Sequence, residues 1–129
     1  CGPAFFKTIS DERKKVQTLA AAVAAIVEGK VLAVKGLGGY QLICDATSDT
    51  AVSELRQRKS RQTRPLAVMV KDIDLAWQIA DISECQTALT TKAGPIVLYP
   101  ARPRNGLSHL VHPGLRDVGI MLPTTAMHY

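Results

Sequence analysis

Apolar residues recur at helical spacing over residues 10–28, where Val16, Leu19, Ala20, Val23, Ile26 and Val27 share one face. Ser10 as N-cap, Asp11 and Glu12 in the first turn, and Gly29 just past the end are the start and stop signals of a helix there. Val31-Leu32-Ala33-Val34 is apolar on both faces, which predicts a short buried strand. Lys35-Gly36-Leu37-Gly38-Gly39 interrupts the pattern, and residues 40–44 resume as extended chain. A second helix is predicted over residues 49–59 behind a Ser48 cap. Further strands are predicted at 66–70, 96–99 and 118–122, and short helices at 72–80 and 83–91. Residues 100–117, rich in Pro, Arg, Asn, Gly and His, read as a surface loop. Helices interleaved with short apolar strands predict an α/β layered domain, with a strand order that this pattern does not encode.

At 129 residues there is room for one domain with a modest core. Only six residues are aromatic, so Val, Ile, Leu and Ala must fill that core. No apolar run approaches the roughly 20 residues of a membrane-spanning helix, and no basic start with a long apolar stretch marks a signal peptide. Cys1 in place of an initiating Met, and an end at His128-Tyr129 without a closing element, suggest a piece of a longer protein. The net charge of +5 favours anionic partners such as nucleotides, phosphates or RNA. Cys1, Cys44 and Cys85 are odd in number and far apart, which argues against a disulfide framework and for a reducing cytoplasm.

Candidate chemistry concentrates in one stretch. Arg56, Arg58, Lys59, Arg61 and Arg64 place five cations within nine residues, with no acid among them. An Arg fork and a Lys point charge at a helix end suit a triphosphate and the departing charge of pyrophosphate. The same cations suit a solvated helix end, where they favour the dipole and where Glu54 and Arg58 make an i,i+4 pair. The glycine turn at 35–39 follows a strand and would let backbone approach a ligand. It has neither the P-loop ending nor the dinucleotide-binding fingerprint, so a tight strand-to-strand turn is the plainer reading. Cys44 reads as a small core residue, Cys85 has no base beside it in sequence, and Asp45 reads as a turn cap. His109 and His112 share a spacing of three but have no third ligand, and Cys1 has no nearby cysteine with which to build a zinc site.

Taken in order, four segments resemble a known family. Lys35-Gly36-Leu37-Gly38-Gly39-Tyr40-Gln41-Leu42-Ile43-Cys44-Asp45-Ala46 is very similar to the YrdC-like domain of the hydrogenase maturation carbamoyltransferases named HypF. Arg58-Lys59-Ser60-Arg61 followed by Arg64-Pro65-Leu66-Ala67-Val68-Met69-Val70 looks like its nucleotide-binding stretch. Ala93-Gly94-Pro95-Ile96-Val97-Leu98 and Val118-Gly119-Ile120-Met121-Leu122-Pro123 continue the match, which covers almost the whole chain. The resemblance implies a YrdC-like (TsaC-type) α/β fold, a twisted mixed sheet with flanking helices, C-terminally incomplete. Residues 1–3 would be the remnant of a preceding zinc-finger region, and residues 4–129 the N-terminal and central part of the YrdC-like domain. Cys1 would then be a zinc ligand only in the longer parent chain.

The implied chemistry is formation of carbamoyl adenylate and pyrophosphate from ATP, with Mg2+, and carbamate released from carbamoyl phosphate by a separate acylphosphatase domain. The carbamoyl group would pass to the partner HypE, toward the cyanide ligands of nickel-iron hydrogenase. Lys59 and Arg61 match the Lys-x-Arg pair that holds the ATP phosphates and are the implied catalytic residues. Lys35, Gly36, Gly38, Gly39 and Tyr40, with Arg64, would complete the nucleotide and carbamoyl pocket. A Thr-Ser-x-Asn segment that completes the family's nucleotide site would follow Tyr129, so the isolated fragment is expected to be weak or inactive. Two other readings stay open: a threonylcarbamoyl-adenylate synthase serving tRNA modification, and a double-stranded RNA-binding module. The threonylcarbamoyl branch has a Pro-Thr-x-Thr stretch where this chain has Lys35-Gly36-Leu37-Gly38, a His at Met69 and an Arg at Met121. Methionine at those places removes the charge complement of a threonine carboxylate, which favours carbamate.

Overall fold

A computed structural model of the chain describes residues 5–9, 12–16, 19–36, 39–91 and 94–124. It divides into two compact units, Cys1–Gln62 and Thr63–Tyr129.

In the first unit, four strands form an antiparallel sheet in the order β2-β1-β3-β4. These are β1 (Phe5–Ile9), β2 (Glu12–Val16), β3 (Leu32–Gly36) and β4 (Gly39–Ile43). The predicted strand at 31–34 is therefore β3, with Val31, Leu32 and Val34 buried. Helix α1 (Leu19–Val27) lies between β2 and β3 in sequence and packs on β1, β2 and β3. It is shorter than the helix expected over residues 10–28. Residues 12–16 are strand instead, while the proposed cap at Ser10 and Asp11 lies outside the described residues. The reason is tertiary: β2 pairs along its whole length with β1, a Phe-Phe-Lys-Thr-Ile segment rich in aromatic and β-branched residues.

The buried face of α1 also differs from the expected one. Ala22 and Ala25 are buried, whereas Leu19, Val23 and Val27 are 56, 52 and 77% exposed. Every residue from 19 to 27 is apolar, so no polar position sets the phase of the helix. Alanine lets the helix axis approach the sheet more closely than leucine or valine would. The burial stripe is consequently turned by about 100°, one residue's advance around the helix. The predicted stop at Gly29 holds. Gly29, at φ +77°, donates to the Ile26 carbonyl and Lys30 donates to that of Ala25, both at 2.9 Å, which is a Schellman closure.

Helix α2 (Asp49–Arg58) begins at the predicted cap, where the Ser48 hydroxyl accepts from the Ala51 N–H at 3.3 Å. Ala51, Val52, Leu55 and Arg56 form its buried face.

The second unit holds a three-stranded mixed sheet in the order β5-β7-β6. Here β5 (Ala67–Met69) runs parallel to β7 (Asp117–Met121), and β6 (Val97–Pro100) runs antiparallel to it. The predicted α/β class thus stands, with the strands shared between two small sheets. Helix α3 (Ile73–Ile79) is capped by Asp72, which accepts from the Leu75 N–H at 2.9 Å, and α4 (Gln86–Leu89) is a single turn. The central strand β7 buries Val118 and Ile120 fully. Tyr99 is buried too, and its hydroxyl donates to the Cys85 carbonyl at 2.7 Å.

The expected surface loop at 100–117 is held down more firmly than its composition suggests. Arg102 donates through its N–H to Ile79 and through Nε to Ala80, and its guanidinium lies over Trp77, 5.7 Å from the ring centroid. Val111 and Ser108 are buried, and the Val111 carbonyl accepts from Leu66 at 2.9 Å. No helix among the described residues is long and apolar enough to cross a membrane.

Two glycines at positive φ allow a comparison. A Cβ on Gly29 would meet nothing within 4 Å, whereas one on Gly94 (φ +57°) would collide with the Thr124 side chain. Gly29→Ala should cost about 1–2 kcal/mol from left-handed strain alone. Gly94→Ala should cost about 1–3 kcal/mol more from the clash. Urea denaturation of both variants checks the ordering, and equal losses would contradict it.

Candidate functional site

The cationic stretch is built on the end of α2. Lys59 closes the helix, its N–H donating to the Leu55 carbonyl at 3.0 Å. Ser60 then enters the left-handed region at φ 50°. Its N–H donates to Gln57 and that of Arg61 donates to Arg56, at 3.1 and 3.0 Å. This is the same Schellman closure that ends α1, with serine in the place glycine holds there. Lys59, Ser60 and Arg61 are all exposed, so the two cations flank a tightly defined turn and face solvent.

The five cations are not equivalent. Arg58 pairs with Glu54, its Nε donating to the carboxylate at 3.1 Å, as the i,i+4 spacing predicts. Arg56 is 7% exposed, and its Nη1 donates to the carbonyls of Arg61 and Gln62 at 2.8 and 3.1 Å. It ties the loop from beneath. Composition alone missed this role, although the spacing held a signal: Arg56 lies four and one residues after buried Val52 and Leu55, on their face of the helix. Arg64 is exposed and falls in the second unit.

The glycine turn is the strand-to-strand connection that its sequence suggests. Gly36 pairs with Gly39, which sits at φ +120°, and Lys35 pairs with Tyr40. Lys35 and Tyr40 are exposed. Gly38 and Cys1 lie outside the described residues, so their proposed roles in the carbamoyl pocket and in zinc binding are not addressed by this geometry. Lys59 is within electrostatic reach of the Cys44 thiol, which directly follows β4. Five residues of extended strand, about 17 Å, separate Cys44 from Gly39. Lys59 thus belongs with the C-terminal end of β4, and the glycine turn with its start.

Cys44 is half-buried, and its thiol is pushed up to about 11. Burial is the main cause, followed by the charges of Asp45 and Glu54, with Lys59 opposing them. A thiol protonated at neutral pH is a poor nucleophile, in keeping with a structural role. Asp45 caps its turn, accepting from the Thr47 N–H and hydroxyl at 2.8 Å each. His112 Nδ1 faces the Leu115 carbonyl at 3.0 Å, and no cluster of three or more potential metal ligands occurs among the described residues.

In the second unit, Met69 and Met121 are direct partners in the β5–β7 ladder, an adjacency that spacing in the chain could not have shown. An open cleft of about 360 Å³, bordered by Lys71, Asp72, Thr90, Thr91, Pro123 and Thr124, contains none of the residues assigned a binding or catalytic role from sequence.

Two predictions follow from this geometry. Ser60→Gly should hold or raise stability, whereas Ser60→Val should lose about 1–2 kcal/mol by urea denaturation, because a β-branched residue fits the left-handed turn poorly. Cys44 should resist iodoacetamide at pH 8 while exposed Cys85 is modified, as read by mass spectrometry. The sign for stability follows: the raised thiol pKa leaves its contribution intact below about 9 and erodes it as pH rises through about 11.

Comparison with known proteins adds to this geometry. Carbamoyltransferase HypF of Rhodobacter capsulatus is 40% identical over all 129 residues, which make up 17% of that protein. The crystal structure of T. kodakarensis HypF superposes on the whole chain with a TM-score of 0.86 at 36% identity, again using 17% of its length. A structure of full-length HypF in the phosphate- and nucleotide-bound form matches with a TM-score of 0.85 at 32% identity, over the whole chain and 17% of its own. The chain therefore spans about one sixth of the length of these relatives. Residues 24–129 match the Sua5/YciO/YrdC family model, described as "Telomere recombination". The chain belongs to the Sua5/YciO/YrdC family, and its fold is that of the YrdC-like domain of HypF.

Proposed function

We propose that this chain is the part of a longer cytoplasmic carbamoyltransferase that makes carbamoyl adenylate from ATP and carbamate. The observation that carries the proposal is the exposed Lys59-Ser60-Arg61 turn, held in one geometry by the helix closure and by Arg56 beneath it. A carbamate oxygen attacks the α-phosphorus of ATP, the bond from that phosphorus to the bridging oxygen breaks, and pyrophosphate leaves with the electron pair. Lys59 and Arg61 bind the β- and γ-phosphates and offset the charge that grows on the leaving group, a neutralisation to which Mg2+ brought with the ATP would add. Lys35, Gly36, Gly38, Gly39 and Tyr40 form the carbamoyl end. The strand length between the two ends of β4 suits an extended nucleotide better than a single small anion.

Related HypF proteins are carbamoyltransferases by name, and one was solved with phosphate and nucleotide bound. Both facts support this reading, as does the adjacency of Met69 and Met121. Two neighbouring thioethers offer no cation to a threonine carboxylate, which favours carbamate over threonylcarbamate. Carbamate supply from carbamoyl phosphate, onward transfer to HypE, and a zinc site completed by Cys1 are proposed for the longer protein.

The full-length protein should exchange labelled pyrophosphate into ATP when carbamoyl phosphate is present, with no stimulation by threonine. Lys59→Glu with Arg61→Glu should reduce that exchange by at least about 100-fold while circular dichroism and the thermal midpoint stay unchanged. Exchange that survives the double reversal sinks the assignment. Threonine-dependent exchange would instead indicate the threonylcarbamoyl reaction, and steeply salt-dependent duplex RNA binding without exchange would indicate an RNA module.

A further inference from the structure

We infer that Arg56 is a positioning residue for the phosphate-binding pair, acting through the backbone of residues 61 and 62 and not by touching the nucleotide. The inference rests on the reading of Lys59 and Arg61 as phosphate ligands.

Arg56 grips the Arg61 residue at both ends. Its own carbonyl accepts from the Arg61 N–H at 3.0 Å, and its Nη1 donates back to the Arg61 carbonyl at 2.8 Å. The same nitrogen reaches the Gln62 carbonyl at 3.1 Å, so consecutive peptides are held by one guanidinium. Buried on the face of α2 that carries Val52 and Leu55, this side chain has its direction set by helix packing. The chain leaving the helix is thereby fixed to the helix itself, through Ser60 in its left-handed conformation. Phosphate recognition depends on where two long side chains start, since each must otherwise lose more freedom to reach a common target. A clamp below the loop sets the origin of Arg61 and, across Ser60, its relation to Lys59. A lysine in place of Arg56 could donate from its single nitrogen to the same two carbonyls, whereas glutamine is too short to span the same distance.

The test uses pyrophosphate exchange by the full-length protein, with ATP as the varied substrate. Arg56→Gln should lower kcat/KM for ATP by about 10- to 100-fold, mainly through KM, and Arg56→Lys should recover much of the loss. Amide hydrogen exchange at residues 61–63 should accelerate in both variants while the amides of β3 and β4 keep their protection. If Arg56→Gln fails to fold, Arg56→Met, which keeps a long apolar stem without the donor, carries the comparison. Faster exchange in the loop with a raised KM in Arg56→Gln or Arg56→Met supports the inference, and an unchanged KM in either variant, when folded, overturns it. Lys59→Ala and Arg61→Ala separate the two levels. Should these leave the KM for ATP unchanged, the nucleotide reading fails and the positioning role with it. Should they raise it while folded Arg56 variants do not, only the positioning role fails.

Discussion

The closure of α2 is the constraint on which the candidate site depends. A helix ends with carbonyls that have no partner within it, and here the Ser60 and Arg61 amides satisfy two of them. To do so, Ser60 must hold a left-handed conformation that costs a side-chain-bearing residue about 1–2 kcal/mol. Each hydrogen bond gained returns about 0.5–1.5 kcal/mol, and those donated by a charged guanidinium about 1.5–3 kcal/mol. The strained turn is thus over-determined by its surroundings.

This arrangement also divides the labour among cations that look alike in sequence. Arg56 turns inward to backbone carbonyls, and Arg58 turns to Glu54 along the helix surface. Lys59 and Arg61 remain exposed. Their mutual repulsion is screened by water and salt, with a Debye length of about 8 Å at physiological ionic strength. A polyphosphate replacing those counterions would meet a field already in place. Serine and not glycine at the turn reduces the freedom of the unfolded loop, and its hydroxyl adds a polar group between the two cations.

The second unit meets a different problem, a core with few aromatics. Tyr99 is buried and satisfies its hydroxyl on Cys85, while Trp77 serves as the platform for Arg102. Together with the buried Val111, these contacts convert the proline- and glycine-containing excursion at 100–117 into an ordered return path to β7. The parallel pairing of β5 with β7 then brings Met69 beside Met121, although 52 positions separate them in the chain.

The sequence by itself determined the features whose cause is local. The cap at Ser48, the stop at Gly29, the Glu54–Arg58 pair, the Asp45 turn and the apolar strand at 31–34 all follow from neighbours within a few positions. The ordered motifs were equally legible, because short segments carry the family resemblance without reference to their placement. Tertiary structure decided the rest. It made residues 12–16 a strand because a distant partner, β1, outweighed helical spacing. It chose the alanine face of α1 because an all-apolar helix contains no polar positions to orient it. It sent Arg56 beneath the loop because burial, unlike charge, depends on what packs against a residue, and a one-dimensional pattern holds that information only where polar and apolar positions alternate.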